Sequence, residues 1–545
     1  MRENHKKKTY FIRLTALLLS AVMCLSLAAC GDRGEAELTL KEGEIFTVAV
    51  AQQADSLNPV LSQGGLTEEF FLLCYDPLWR ISADGQPVPC IAQDWSISSD
   101  SLTWTIRLRQ DVTFSDGEPL TAKDVLFSYD LMRHNETLYA EYFDGVTAIR
   151  SPDDYTIVIS TEYIKSDMIY NPTPVLPRHI WAEYEFTPAE FENLAMTGSG
   201  PFVYCPDESG EDGWMFRARE NYFGGEAVTA AVFFAYYGTV TGAARALAAG
   251  EANASFGLTD VQLTTLESVP YVRLIETMLP QAECRGIVFN LRSEVFESLA
   301  ARQAVEYCMD REWFLSMYSG GAGELGGAFL SPGSEDYLPI GSVRGFSTQQ
   351  ALTQLNRYGY VDVDQDGILE YGVELDKLTL TLYTSNQDAW AATAATILVE
   401  ALEEIGVRVN WNKTDEPVSA VCTDSGNWDL CLCSWQGSQS SVTAATMFKE
   451  QILAMTGWEN PGFESVLAAL RASHDDAAIQ SYAQQLQQIV YDDCPVAVIA
   501  YSADIQAIRT DNWTGFESIL DAGGGLFASG SSDVYMTVAY KQTEE

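Results

Sequence analysis

Between residues 378 and 435 the apolar positions change period twice. Leu378, Leu380 and Leu382 alternate with threonines, the period-two pattern of a half-buried strand. Ile397, Leu398, Ala401, Leu402 and Ile405 repeat at the helical period, and Gly406 closes that helix. Residues 407–411 and 429–435 then read as two further strands, with Leu430 and Leu432 on one face. Strand–helix–strand order implies a right-handed crossover in a parallel sheet. Ligands of such sheets bind beyond the carboxyl ends of the strands. Here those ends are Tyr383-Thr384-Ser385-Asn386 and Ser434-Trp435-Gln436-Gly437-Ser438.

Elsewhere the pattern is shorter in range. The β-branched run 45–50 predicts a strand, followed by a turn at 55–59. Leu102, Trp104, Ile106 and Leu108 alternate with polar residues; 111–114 is expected to return beside them, with Asp116-Gly117 as turn. Thr121 and Asp124 have capping-box spacing and start a helix running to Arg133. Residues 155–160 read as a strand, the proline-rich 171–178 as loop, and 197–201 as a tight turn before Phe202. Short helices are expected at 243–250, 302–309 and 349–357, and a Gly-rich loop at 320–333. No fixed-period repeat is present.

The first thirty residues follow another logic. Arg2, Lys6, Lys7, Lys8 and Arg13 precede sixteen apolar or small residues, 14–29. That run is short for a membrane span and reads as a secretory signal. Leu27-Ala28-Ala29-Cys30 resembles the lipobox of bacterial lipoproteins, in which cleavage leaves Cys30 as the lipidated residue. Residues 30–44 then form a polar tether, so the protein is expected at the cell envelope, facing outward and held by lipid alone.

Charge narrows the partners. Lys+Arg number 32 against 76 Asp+Glu, a net charge of −44 on 545 residues. Nucleic acid is thereby argued against, since phosphate recognition needs clustered cations. Of 11 cysteines, Cys24 leaves with the signal and Cys30 takes lipid. The remaining nine cannot all pair, and most read as small buried hydrophobes. The four histidines are far apart, and neither an HExxH nor a Walker pattern occurs. An extracellular hydrolase using a carboxylate pair rests only on acid abundance and is the remote alternative.

Several ordered segments together resemble the extracellular solute-binding proteins of family 5, the peptide- and nickel-binding lipoproteins of ABC importers. They are Ser56-Leu57-Asn58-Pro59, Tyr75-Asp76-Pro77-Leu78, Ile91-Ala92-Gln93-Asp94-Trp95, the stretch from Val112 to Val125, Gly198-Ser199-Gly200-Pro201-Phe202, Asn221-Tyr222-Phe223-Gly224-Gly225 and Met309-Asp310-Arg311-Glu312. The resemblance implies an α/β, periplasmic-binding-protein-like fold (type II, cluster C) of two hinged lobes with an extra inserted domain. Mapped onto this chain, 45–60, 200–282 and 505–545 form lobe I, 61–199 the inserted subdomain and 283–504 lobe II. It also implies no catalysis, no cofactor, a monomer, a peptide or small-molecule ligand and ABC permease subunits as partners. Peptide binders of the family carry an acid three positions after the Trp of the late strand; here that position is Ser438. An oligosaccharide or other non-peptide solute is therefore the alternative ligand.

The candidate ligand residues follow from both lines. Tyr383, Asn386, Ser434, Trp435, Gln436 and Ser438 stand at the two strand ends. Trp435 offers a stacking face and an N–H, and would equally serve as core. Ser385 or Asn386 would equally cap the following helix. Asn58 and Asn290 are candidates by their place in the family pattern, each with a turn role as the alternative. Asp362, Asp364, Asp366 and Glu370 begin a calcium-loop pattern, but Val373 stands where the bidentate Glu belongs. A solvated acidic turn without metal is the expectation there.

Overall fold

The computed structural model describes residues 45–82, 85–340, 343–521, 526–527 and 531–541. The signal, Cys30 and the tether lie outside them. No helix among the described residues is long and apolar enough to cross a membrane.

Two sheets carry the two lobes. The first has seven strands, in the order Val272–Thr277, Asp504–Arg509, Ala254–Ser255, Ile45–Val50, Ala231–Tyr236, Gly213–Ala218 and Phe202–Tyr204. Ile45–Val50 runs parallel to both of its neighbours, and Phe46, Val48, Ala49 and Val50 are buried, which suits a central strand. Phe70 of the helix Leu66–Cys74 packs on Phe216 and Phe234 of this sheet at ring separations of 4.9 and 5.1 Å. The Gly-Ser-Gly-Pro turn ahead of Phe202 lies against the end of the same helix. A Cβ at Gly198 would sit 1.9 Å from the Cys74 carbonyl oxygen, so the approach requires glycine.

The second sheet has six strands: Glu324–Leu325, Val496–Tyr501, Glu283–Phe289, Leu430–Gln436, Thr379–Ser385 and Arg408–Thr414. Thr379–Ser385, the helix Ala389–Glu404 and Arg408–Thr414 form the expected parallel crossover unit. Leu430–Gln436 is covered on both sides. Leu430 and Leu432 face one core with Leu380, Leu382 and Leu398, while Cys431, Cys433 and Trp435 face another with Phe448 and Val498. The chain crosses between the two sheets twice, at 278–282 and at 502–503. The passages run side by side: the Ser502 N–H donates to the Glu283 carbonyl at 2.9 Å.

Between the first-sheet strands Ile45–Val50 and Phe202–Tyr204 the chain builds a four-stranded antiparallel sheet, Ala92–Ile97, Thr103–Leu108, Thr156–Thr161 and Val146–Asp153. The helix Ala122–Arg133 begins with the expected capping box of Thr121 and Asp124. The helix Val240–Ala249 ends at Gly250 in the left-handed conformation, as its sequence requires.

Three local expectations fail. Residues 111–114 form no strand; only Thr113 bridges Pro119, because the chain turns back at Asp116-Gly117 within a few residues. The loop 320–333 contains a two-residue strand, Glu324–Leu325, paired with Tyr501 and Ala500. The N-cap position of the helix Ala389–Glu404 is Asp388, which makes no side-chain capping bond, and not Ser385 or Asn386, since the strand Thr379–Ser385 continues to its own end first.

Candidate functional site

A cavity of about 590 Å³ opens between the lobes. One wall comes from the first lobe and the segment between its strands: Leu66, Phe71 and Leu72 on the first helix, Trp79, Arg80 and Ile81, then Leu138, Tyr139, Glu141 and Tyr142. Tyr170, Pro172 and Pro174 extend it. The other wall is Gln436, Gly437, Ser438 and Gln439, just beyond the strand Leu430–Gln436, with Met447 from the next helix. Gln281, in a crossing passage, lies at its back. Gly437 is needed for this placement. A Cβ there would lie 2.0 Å from the Pro280 carbonyl oxygen, so any other residue would push the second wall off the crossing passage.

The rim is bridged by polar contacts between the lobes. Thr443 Oγ1 donates to Asp167 Oδ2 at 2.6 Å, and Lys165 Nζ lies 3.2 Å from Asp167 Oδ1. Further out, Gln86 Nε2 donates to Glu335 Oε1 at 2.8 Å.

The charged groups of the wall differ in their surroundings. Burial, with Asp55 nearby, pushes the Glu68 carboxyl up against an N–H from Gly65. Burial also raises Glu141, against the pull of Lys165. Glu69 accepts from the Tyr535 hydroxyl deep in the first lobe. Burial opposes the charge on Arg80, and the nearby Asp533 and Asp76 favour it.

Of the candidate ligand residues, Gln436 and Ser438 line the cavity. The others do not. Trp435 is core: it is 6% exposed, its indole N–H donates to the Phe329 carbonyl at 3.0 Å, and its ring packs on Phe448. Ser434 is half-buried within the strand, opposite Arg285. Tyr383 packs on the second-lobe core, and the Asn386 amide donates to Asp415 at 2.8 Å. Asn58 is buried and holds a turn, donating to the Pro188 and Phe191 carbonyls at 2.8 and 2.7 Å. Asn290 does the same for the Trp428 carbonyl at 2.8 Å. For both asparagines the structure supports the turn role.

Missed in the sequence were Glu68, Arg80, Glu141 and the tyrosines of the first wall. The signal was present in part: Gly64-Gly65 followed by two glutamates in the first turn of an otherwise apolar helix.

The acidic turn is supplied with its own cation. Oxygens of Asp362, Asp364, Asp366 and Glu370 lie within 4.8 Å of one another. Lys377 Nζ sits 2.8 Å from Asp364 and 2.9 Å from Asp366, and also bonds Glu370. The nine cysteines among the described residues are free; all but the half-buried Cys205 are buried, and Cys431 Sγ lies 3.6 Å from Cys433 Sγ.

Two lobes on separate sheets, joined by paired passages and lined toward each other around a cavity, define a periplasmic-binding-protein-like solute receptor. The chain belongs to the bacterial extracellular solute-binding proteins, family 5, whose model (described as the family 5 middle region) matches residues 86–449. It is 22% identical to the oligopeptide-binding protein AppA of Bacillus subtilis (strain 168), over 94% of this chain and 96% of that one. The solved structure of Bacillus subtilis AppA in complex with a nonapeptide aligns with a TM-score of 0.66, at 20% identity over 91% of this chain and 99% of that one. HbpA2 from Haemophilus parasuis aligns with a TM-score of 0.78, at 18% identity over 91% of this chain and 100% of that one.

Proposed function

We propose that this chain is a lipid-anchored receptor that captures a peptide between its lobes and delivers it to the permease of an ABC importer. The observation that carries this reading is the cavity itself: its two walls come from opposite lobes, between which the chain crosses in two short passages. A ligand touching both walls favours the approached arrangement of the lobes over any separated one, which is how binding becomes a conformational signal. The wall chemistry suits a peptide. Aromatic and aliphatic side chains offer apolar contact, while Gln436, Ser438 and Gln439 offer amide and hydroxyl partners for a peptide backbone. The oligopeptide-binding relatives support the same reading. The lipid anchor rests on the Leu27-Ala28-Ala29-Cys30 motif.

Ser438 favours a second reading, an oligosaccharide or other solute without a free amine. Native mass spectrometry on mature protein purified without refolding, with identification of released molecules, separates the two. A ladder of peptide masses is expected. A single sugar or other non-peptide species would overturn the peptide assignment while leaving capture in place.

A further inference from the structure

The cavity lining holds three acids, Glu68, Glu69 and Glu141, but Arg80 is the only Lys, Arg or His among its described residues. Arg80 stands in the short strand Trp79–Ile81, where both neighbours are buried and Arg80 itself is half-buried. Its guanidinium makes no hydrogen bond or ion pair with another described residue. Every other arginine among the described residues that is buried or half-buried is bonded within the chain. Arg302 and Arg311, for example, donate to the main-chain carbonyls of Cys494 and Val498 at 3.1 and 2.9 Å. Such bonding is the rule because a guanidinium drawn away from water must recover its hydrogen bonds elsewhere. Arg80 departs from that rule at the wall of the cavity.

We infer that Arg80 binds a carboxylate of the ligand, from a carboxyl terminus or an acidic side chain, through paired hydrogen bonds. This rests on the capture reading above and adds which ligand group is read, and by which residue. The guanidinium is a planar fork whose parallel N–H donors match the two oxygens of a carboxylate. Asp533 and Asp76 act on Arg80 through space and favour its charge, but neither is ion-paired with it. Asp76 is engaged elsewhere, accepting from the Tyr222 hydroxyl at 2.7 Å. The acids of the lining oppose a ligand carboxylate only weakly. Glu69 accepts from the Tyr535 hydroxyl, and burial raises both Glu68 and Glu141, which favours their neutral forms. A carboxylate set against the rest of the described lining would meet no cation, since Gln436 to Gln439 are neutral. An unpaired charge withdrawn from water is costly, so Arg80 fixes where the acidic end of the ligand lies.

The test uses the mature protein and four pools of synthetic peptides rich in Leu and Phe, all with free amino termini. The pools have a free or amidated carboxyl terminus, each with or without one glutamate, and binding is read by native mass spectrometry and calorimetry. The wild type is expected to prefer pools bearing a carboxylate over the amidated, glutamate-free pool by at least about tenfold, and Arg80→Gln to lose that preference. Preference for the free carboxyl terminus alone assigns the terminus as the source; equal rescue by glutamate assigns the side chain. If Arg80→Gln does not fold, Arg80→Lys decides: it keeps the charge without the planar fork and should lose part of the preference. Equal binding of all four pools by the wild type, stronger binding of the amidated pool, or an unchanged preference in a folded variant overturns the inference and leaves peptide capture standing. Binding of no pool overturns both.

Discussion

The two walls of the cavity are built from different material. The first-lobe wall is broad, aromatic and acidic, drawn from a helix, a short strand and turns spread from Leu66 to Pro174. The second-lobe wall is narrow and neutral, four consecutive residues at the end of one fully packed strand with Met447 beside them. The contrast separates two tasks. Apolar area and charge, which set how strongly and what kind of ligand is held, sit on the first wall. Fixed donors and acceptors, which fix register, sit on the second. The second wall is rigid because cores cover both faces of its strand.

The largest effect should come from undermining the second wall from behind. Trp435→Ala removes a buried ring beside Phe448 and should cost about 3–5 kcal/mol of stability, read by chemical denaturation. Any loss of binding should follow from unfolding; a stable variant with lost affinity would return Trp435 to the site. Gly437→Val should come next. Its side chain would collide with the Pro280 carbonyl, and affinity for the retained ligand should fall by about thirtyfold in a protein that still folds.

Asp504→Asn probes the passage between the walls. Burial raises the Asp504 carboxyl to about 6, against a hydrogen bond from Gln506. A folded-state value above the ordinary one means that the folded protein holds this proton more tightly than the unfolded chain. The stabilisation is therefore present below about pH 4 and lost as pH rises through 6. The amide mimics the neutral acid, so Asp504→Asn should be more stable than wild type by about 3 kcal/mol near pH 8, the difference vanishing below the ordinary carboxyl value of 3.8. A pH-independent difference between the two would break the assignment. The smallest effect is expected at the second wall's own hydroxyl: Ser438→Ala should weaken binding by at most about fivefold, measured by calorimetry. A larger loss would mean that the neutral wall carries more of the affinity than its chemistry suggests.

The sequence made the fold more legible than the site, for physical reasons. The crossover unit Thr379–Ser385, Ala389–Glu404 and Arg408–Thr414 is written in hydrophobic period, and each period lies within one short stretch. The strand Leu430–Gln436 was legible as a strand but not in its facing. Trp435 shares a face with Cys431 and Cys433, and that parity sends it into the core. The helix Leu66–Cys74 escaped notice because it is buried nearly all round, leaving no polar stripe to set a period. Its glutamates come to line the same cavity as Glu141, some seventy residues later, only through the fold. At the acidic turn the calcium-like spacing ends before Lys377, the side chain that pairs with Asp364, Asp366 and Glu370, so the turn's own cation is not legible in that pattern.

The placement of Asp504–Arg509 inside the first sheet, next to its edge strand, bears on how the protein is made. That strand pairs with both Val272–Thr277 and Ala254–Ser255, yet it is synthesised after the whole second lobe. The first sheet cannot be completed until more than nine-tenths of the chain exists, whereas the second sheet draws on one contiguous run from Glu283 to Tyr501. Long-range strand pairing is slow because the intervening loop must first be closed. The second lobe should thus gain its native order first, and the first should wait as an open-edged intermediate, the species on which chaperones would act.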